Sequence, residues 1–284
     1  MGYAEHDPGW YWDAVADTIL KAITDSKVDP KSIKGVSVSA LSPVCILVDK
    51  DLQPLQMGHI WMDRRSVPQV QWLKDNIGED RIFELSANPT DSYYAVAKLM
   101  WERDNRPDLY KRTYKMQTAA DYPAMRLTGI AVTDYSNASL CGIAFDVRKK
   151  VWDEGLLREI NIDIDKLPDP HPCEEIIGHV TKEAAVRTGL AEGTPVVAGT
   201  VDCNAAWVAG GAIDDGDASL VMGTAGVMGI VHKKDSFTKN MIMIIHTANS
   251  KDTYSTVSAQ LLGGIYRYYR DELATAEKNA AADL

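Results

Sequence analysis

The chain has 284 residues, 45% of them hydrophobic and 25% charged, with a net charge of −10. That balance describes a globular protein with room for two domains rather than a disordered segment. It contains no basic stripe dense enough to follow a phosphate backbone, which argues against nucleic acid as a partner. No apolar run approaches the ~18 residues of a membrane span, so no membrane partner is expected.

The opening segment, MGYAEHDPGWYW, has acidic residues where a signal peptide needs a basic region and an apolar core. DPGWYWDAVADTILKAI then reads as an amphipathic helix. Asp7 can cap it, Pro8 suits its first turn, and Tyr11, Val15, Ile19 and Ile23 recur every four residues. No strand is expected before this helix, and an α/β domain that starts on a crossover helix suggests that its preceding strands lie outside this chain.

Next, IKGVSVSALSPVCILVDKDLQPLQMGHIW reads as a strand, a break at Ser42-Pro43, a second strand over Val44 to Val48, a turn over Asp49 to Gln53, and a short third strand. From about Ser66 to Tyr122 the pattern is helical, most apolar around Ala97, Leu99, Met100 and Trp101, and Thr128-Gly129 closes a further helix. TKEAAVRTGLAEGTPVVAGT is a clear αβ unit: Thr181 as cap, a short helix, Gly189 past its end, and a buried strand over Pro195 to Ala198.

After that strand comes a second apolar run ending in Gly-Thr. Asp214 to Asp217 give a turn signal and a domain boundary. Strand-like runs follow at Ser219 to Met222, Val227 to Val231 and Met241 to His246, and a final helix is expected to carry Leu261, Leu262, Ile265 and Tyr269. The terminal KNAAADL reads as a frayed end.

Four places could carry chemistry. Asp202 follows a buried strand and a Gly-Thr turn, at the strand's carboxyl end, where open α/β sheets place their ligands. The plainer reading makes it the N-cap of the helix that follows. MGTAGVMG is either a simple β-hairpin or a phosphate cradle, in which Gly223 and Gly226 let backbone N–H groups approach an anion and Thr224 adds a hydroxyl. Trp61-Met62-Asp63-Arg64-Arg65 combines an aromatic plate, a carboxylate and a guanidinium fork, fit either to stack on a sugar or to begin a solvated helix with a core Trp. Tyr93 and Tyr94 share that ambiguity. The six histidines form no HxxxH pair, and Cys45, Cys141, Cys173 and Cys203 show no CxxC spacing, so no metal site and no disulfide framework are expected, and a reducing cytoplasm fits.

Taken in order, DPGWYWDAV, ILVDKDLQPL, GHIWMDRRS, AVAKLMWERDNRPDLY, LTGIAVTDYSNAS, GTPVVAGTVDCNAA and LVMGTAGV resemble the FGGY family of carbohydrate kinases, over most of the chain. The resemblance implies an α/β, actin-like (ribonuclease H-like) ATPase fold with its active site between two lobes. On that basis residues 1–214 are the first lobe, lacking its N-terminal strands, and residues 215–284 are the start of a truncated second lobe. Asp202 then looks like the catalytic base. Gly223, Thr224, Ala225 and Gly226 look like a phosphate-binding turn for ATP with Mg2+, and Trp61, Asp63, Arg64, Tyr93 and Cys203 fall on the substrate side. The implied partner is a small sugar or polyol, with a homodimer left open as the assembly.

Two departures bear on the substrate. Xylulokinases tend to have a Gln-Met-His segment after the first strand here, where this chain has Ala40-Leu41-Ser42-Pro43, which puts xylulose in doubt. Cys203 replaces an amide often found beside the base. A polypeptide with both ends incomplete is expected to show little or no kinase turnover alone. The alternative is a non-catalytic sugar-binding or regulatory protein on the same scaffold.

Overall fold

A computed structural model describes residues 2–223, 225–274 and 277–279. The chain starts with β1 (Glu5–His6), α1 (Pro8–Ser26), β2 (Ser39–Ala40), β3 (Ile46–Val48) and β4 (Gly58–His59). Helices α2 (Val67–Asn76), α3 (Glu79–Ser86), α4 (Ala95–Asn105) and α5 (Pro107–Arg112) follow, then β5 (Lys115–Gln117) and α6 (Asp121–Thr128). The middle holds β6 (Val132–Asp134), α7 (Tyr135–Cys141), β7 (Phe145–Asp146), β8 (Val151–Trp152), α8 (Glu154–Glu159), β9 (Asp169–His171) and β10 (Ile176–His179). It continues through α9 (Lys182–Thr188), β11 (Pro195–Val197), β12 (Thr200–Val201) and α10 (Asp202–Ala209). The last part is β13 (Ala218–Met222), β14 (Ala225–His232), β15 (Ile242–Ile245), β16 (Tyr254–Leu261) and α11 (Gly263–Tyr268).

Helix α1 begins as its sequence dictates. The Asp7 carboxylate accepts the Gly9 N–H at 2.8 Å, Pro8 occupies the first turn, and Lys27 ends the helix in a left-handed conformation. Its buried face is centred on Trp12 and Ala16, one position along from the expected stripe, whose Tyr11, Ile19 and Ile23 are only half-buried. The chain does not open on a helix: β1 precedes it and pairs antiparallel with β4, a strand too short to leave a periodic signal. Likewise β5 interrupts the helical stretch, drawn out by antiparallel pairing with β3.

The end of the chain departs further from expectation. Residues 254–261, YSTVSAQL, form the inner strand β16 of a four-stranded antiparallel sheet ordered β13-β14-β16-β15. Leu261 therefore ends a strand, and the helix starts at Gly263. Cross-strand pairing with β14 along its whole length overrides the weak strand propensity of its Ser and Gln residues. Residues 280–284, most of the expected frayed end, lie outside the described residues. Among the described residues no helix is long and apolar enough to cross a membrane.

The pairing that organises the first part is parallel, β2 with β12, continued backward by a bridge between Val36 and Val196. Between that bridge and the Ser39–Thr200 pair, two residues on one side face three on the other, and Gly199 takes up the extra one. Its φ is +101°, and a side-chain carbon there would stand 2.5 Å from the Val38 carbonyl oxygen. Three apolar clusters surround this frame: one under α1 with Trp12, Val38, Tyr122 and Val196, one around α4 with Leu73, Leu99, Met116 and Phe145, and one joining α10 to the four-stranded sheet through Trp207, Val231, Ile244 and Val257.

Two carboxyls are buried within the first part. Asp134 caps α7, accepting the Asn137 N–H at 2.9 Å and the Asn137 side-chain amide at 2.6 Å. Asp121 accepts the Thr118 N–H at 3.1 Å, and its other oxygen has no partner. Burial raises both, and for Asp121 the nearby Asp134 charge adds to the effect.

Both backbone and charge features are testable. Gly199→Ala meets a backbone oxygen and an unfavourable φ, and should lower unfolding free energy by about 2–3 kcal/mol in chemical denaturation; an unchanged midpoint would contradict the bulge. Because the Asp121 and Asp134 carboxyls titrate higher in the folded than in the unfolded chain, their contribution is full below about pH 4 and is lost as pH rises through the raised values. Asp121→Asn should therefore lose less stability than the wild type between about pH 5 and pH 8, and parallel declines would refute the assignment.

Candidate active site

Because β2 and β12 run parallel, their carboxyl ends open on the same side of the molecule, and each hands the chain to a segment that lines one cavity. After β2 come Leu41 and Ser42; after β12 comes α10, whose first residue is Asp202. The N-cap is Val201, with no side-chain hydrogen bond, so Asp202 is not the capping residue of the plainer sequence reading. Its Oδ1 accepts the adjacent Cys203 N–H at 2.7 Å, and the carboxylate sits in the first turn, where the helix dipole favours negative charge. Burial of the carboxyl by the surrounding cleft nevertheless raises its pKa, although part of the side chain stays open to the cavity.

Helix α10 is held by two residues that sequence reasoning passed over. Asn204 donates to the Ser136 hydroxyl and to the Ile245 carbonyl, each at 2.8 Å, tying α10 to α7 and β15. Trp207 is fully buried under β14, where a side-chain carbon on Gly229 would stand 2.6 Å from its ring. A lone Asn and Trp three residues apart in a helix of small residues was the available signal.

The cavity holds about 300 Å³. Trp61, Tyr93, Cys203 and Ala225 line it with Asp202, so the structure brings together five of the residues singled out in the sequence. Trp61 is 40% exposed, which excludes the core-Trp reading, and its ring lies 6.4 Å from that of Tyr93. Tyr93 donates its hydroxyl to the Ser42 carbonyl at 3.2 Å and meets Tyr94 edge-on, and Tyr94 is the one of the pair that goes to the core. Burial holds the Tyr93 hydroxyl protonated, and the Cys203 and Asp202 groups add to that. Burial likewise pushes the Cys203 thiol up to about 12, so it stays neutral near pH 7.

Lys98, unremarked in the sequence, supports this wall from inside. Its ammonium is fully buried in α4 and donates to the Ser92 carbonyl at 3.0 Å and to the Tyr93 carbonyl, and burial lowers its pKa to about 8. An amphipathic pattern search misses it because α4 is buried on nearly all sides, from Ala95 through Met100.

Two of the sequence-predicted substrate residues do not line the cavity. Asp63 is fully buried and its oxygens are occupied by the Ala4 N–H at 2.7 Å and by the Arg65 backbone and guanidinium at 2.8 to 3.0 Å. Burial alone would raise its pKa, but those hydrogen bonds hold it below the usual carboxylate range. It therefore anchors the segment that carries Trp61 and has no oxygen left for a ligand. Arg64 points elsewhere, pairing with Asp91 and reaching the Ser92 hydroxyl at 3.3 Å.

The second Gly-Thr segment is the turn of the β13–β14 hairpin, with Met222 opposite Gly226. Gly223 donates its N–H to the Ala225 carbonyl at 2.9 Å, so that group is spent within the turn. Gly226 packs on Leu262, which a side-chain carbon would approach to 3.0 Å. Thr224 lies outside the described residues. Among the described residues no group of three or more His, Cys, Asp or Glu side chains is placed to hold a metal ion. A larger cavity of about 450 Å³ lies between Trp72 and Arg103, away from both strand ends.

Residues 1–209 match the FGGY family of carbohydrate kinases, N-terminal domain. The chain is 26% identical over 265 residues to a xylulose kinase of Bacillus subtilis (strain 168), covering 93% of this chain and 52% of that protein. It is 30% identical over 277 residues to a glycerol kinase of Thermococcus onnurineus (strain NA1), covering 95% and 55%. The crystal structure of xylulose kinase from Rhodospirillum rubrum superposes with a TM-score of 0.90 at 26% identity, over 99% of this chain and 57% of that one. The chain thus spans about half the length of the curated relatives it matches. Its fold is the actin-like ATPase fold of these kinases, as the motifs implied, and the chain belongs to the FGGY family of carbohydrate kinases.

Proposed function

We propose that this chain carries the acceptor side of an ATP-dependent carbohydrate kinase, with residues 1–214 forming the first lobe and residues 215–284 the start of the second. The observation that carries the reading is the Asp202 carboxylate, set by a parallel strand pair at the end of β12 and sharing one cavity with Trp61 and Tyr93. The named relatives act on xylulose and glycerol, so the acceptor is a sugar or polyol of that size range.

In this reading a substrate hydroxyl gives its proton to the open oxygen of Asp202. The freed oxygen lone pair forms a bond to the γ-phosphorus of ATP, the bond from that phosphorus to the bridging oxygen breaks, and ADP leaves with the electron pair. Magnesium arrives with the nucleotide as part of the substrate, screening phosphate charge, in keeping with its usual binding through few carboxylates and several phosphate oxygens. Trp61 and Tyr93 hold the acceptor's carbon skeleton, Cys203 shapes the wall as a neutral thiol, and Gly223, Ala225 and Gly226 are assigned to the phosphates, with Ala225 lining the same cavity. Positioning supplies most of the acceleration; a general base on its own contributes about 10²- to 10⁴-fold.

Asp202→Asn should therefore lower kcat for ATP-dependent phosphorylation by about 10²- to 10⁴-fold, measured in a longer chain that contains this one; undiminished transfer removes Asp202 as the base. The pH profile carries a second expectation. A base works deprotonated and burial raises this one, so activity should fall on the acid side at a pH above the ordinary carboxylate range. An acid limb near the value of a free aspartate would contradict the partly desolvated setting.

A further inference from the structure

The LTGIAVTDYSNAS stretch, residues 127–139, supplies no residue to the cavity at Asp202, and neither does Asn88, in the turn after α3. Both meet the four-stranded sheet instead. Among the described residues no strand of the first part pairs with that sheet, and its edge strand β15 is gripped by side chains. Asn88 bonds Met243 as a neighbouring strand would: its Oδ1 accepts the Met243 N–H at 2.9 Å and its Nδ2 donates to the Met243 carbonyl at 3.0 Å. Two positions along, the Ser139 hydroxyl accepts the Ile245 N–H at 3.1 Å, and the Asn204 amide donates to the Ile245 carbonyl at 2.8 Å. All of these residues are buried. A buried strand edge must have its N–H and C=O groups paired, and here three side chains take the place of a partner strand.

This clamp joins the two walls of the cavity. Trp61, Tyr93 and Asp202 stand on the first part, whereas Val227, Ile244 and Val257 stand on the sheet. Along β15, Ile242 and Ile244 face the cavity, and Met243 and Ile245 pack into the cluster around α4. The anchors also bracket Asp202. Asn204 lies two residues after it in α10; Thr200, two residues before it in β12, meets the Thr247 hydroxyl with its own just past β15. Asn88 accepts the Tyr94 hydroxyl at 3.1 Å, and the Tyr94 ring meets that of Tyr93 edge-on.

We infer that the clamp on β15 sets the span of the acceptor cavity, and that Asn88 and Ser139, neither of which lines it, are positioning residues for the acceptor. The inference rests on reading the cavity as the acceptor site. Removing one anchor leaves a buried backbone group of β15 unpaired, so the strand shifts and the Ile244 side of the cavity moves with it.

Ser139→Ala removes an anchor of Ile245, and Asn88→Leu, similar in shape, removes both bonds to Met243. Titrated calorimetrically with glycerol and with D-xylulose, each variant should bind more weakly than the wild type by about 2- to 30-fold, the range over which residues outside a site alter its affinity. Amide exchange at Met243 and Ile245 should quicken in the same proteins. Ser139→Ala suffices if Asn88→Leu fails to fold. Met125→Ala serves as the control: it creates a cavity in the cluster under α1, which contains no residue of the four-stranded sheet, and should leave both affinities as they are. A residue that only holds the fold together changes how many molecules are folded and not how tightly the folded ones bind. Unchanged affinity in Ser139→Ala, unchanged exchange at Ile245, or equal weakening in Met125→Ala overturns the inference; wild-type binding that Asp202→Asn alters leaves the acceptor site standing. Absence of saturable binding of both probes to the wild type overturns the acceptor site and the inference with it.

Discussion

Everything at the proposed site depends on the parallel pairing of β2 with β12. Two short strands, with Gly199 absorbing one extra residue between them, place the ends of segments about 160 residues apart in the chain side by side. Without that register Asp202 would have no fixed relation to Ser42, and Tyr93, whose hydroxyl is bonded to the Ser42 carbonyl, would lose its reference point. The remaining supports act on this frame. Asn204 and Trp207 fix the helix that begins with Asp202, Lys98 holds the backbone on either side of Tyr93, and the Asp63–Arg65 pair fixes the strand end that presents Trp61.

Charge is distributed unevenly over these supports. Asp63 and Arg65 are buried together with their hydrogen-bonding capacity largely directed at each other, an arrangement that costs desolvation and is sustained by geometry. Lys98 has only carbonyl oxygens as hydrogen-bond partners, which explains why burial draws its pKa down. Asp202 differs from both because one oxygen is engaged locally and the side chain is still open to the cavity. A carboxylate that is partly desolvated but not paired with a cation is suited to take a proton rather than to hold a structure together.

What could be read in the sequence followed local chemistry. The caps at Asp7 and Thr181, the left-handed glycines at Gly129 and Gly189, and the buried strand before Asp202 are each specified by residues within a few positions of one another. What could not be read depends on distant partners. Strand β16 exists because β14 and β15 flank it, although its Ser and Gln residues argue weakly for any structure. Asp63 and Arg64 are expected beside the substrate from the family resemblance and from the carboxylate and guanidinium they add to Trp61. Only the tertiary fold reveals that Ala4 and Arg65 claim the first and Asp91 the second. Lys98 escaped notice because a charged residue within a helix normally marks its solvated face, whereas α4 is enclosed by α2, α5 and α7.

The central claim is that one cavity joins Asp202, Ser42, Trp61 and Tyr93 into an acceptor site. A crystal structure of the chain grown with glycerol examines it most directly. The expected result is a ligand hydroxyl within hydrogen-bond reach of the Asp202 carboxylate, with the carbon skeleton between Trp61 and the Leu41–Val227 wall. A ligand found instead in the larger cavity beside Trp72 and Arg103, with the Asp202 cavity holding only water, would contradict the account.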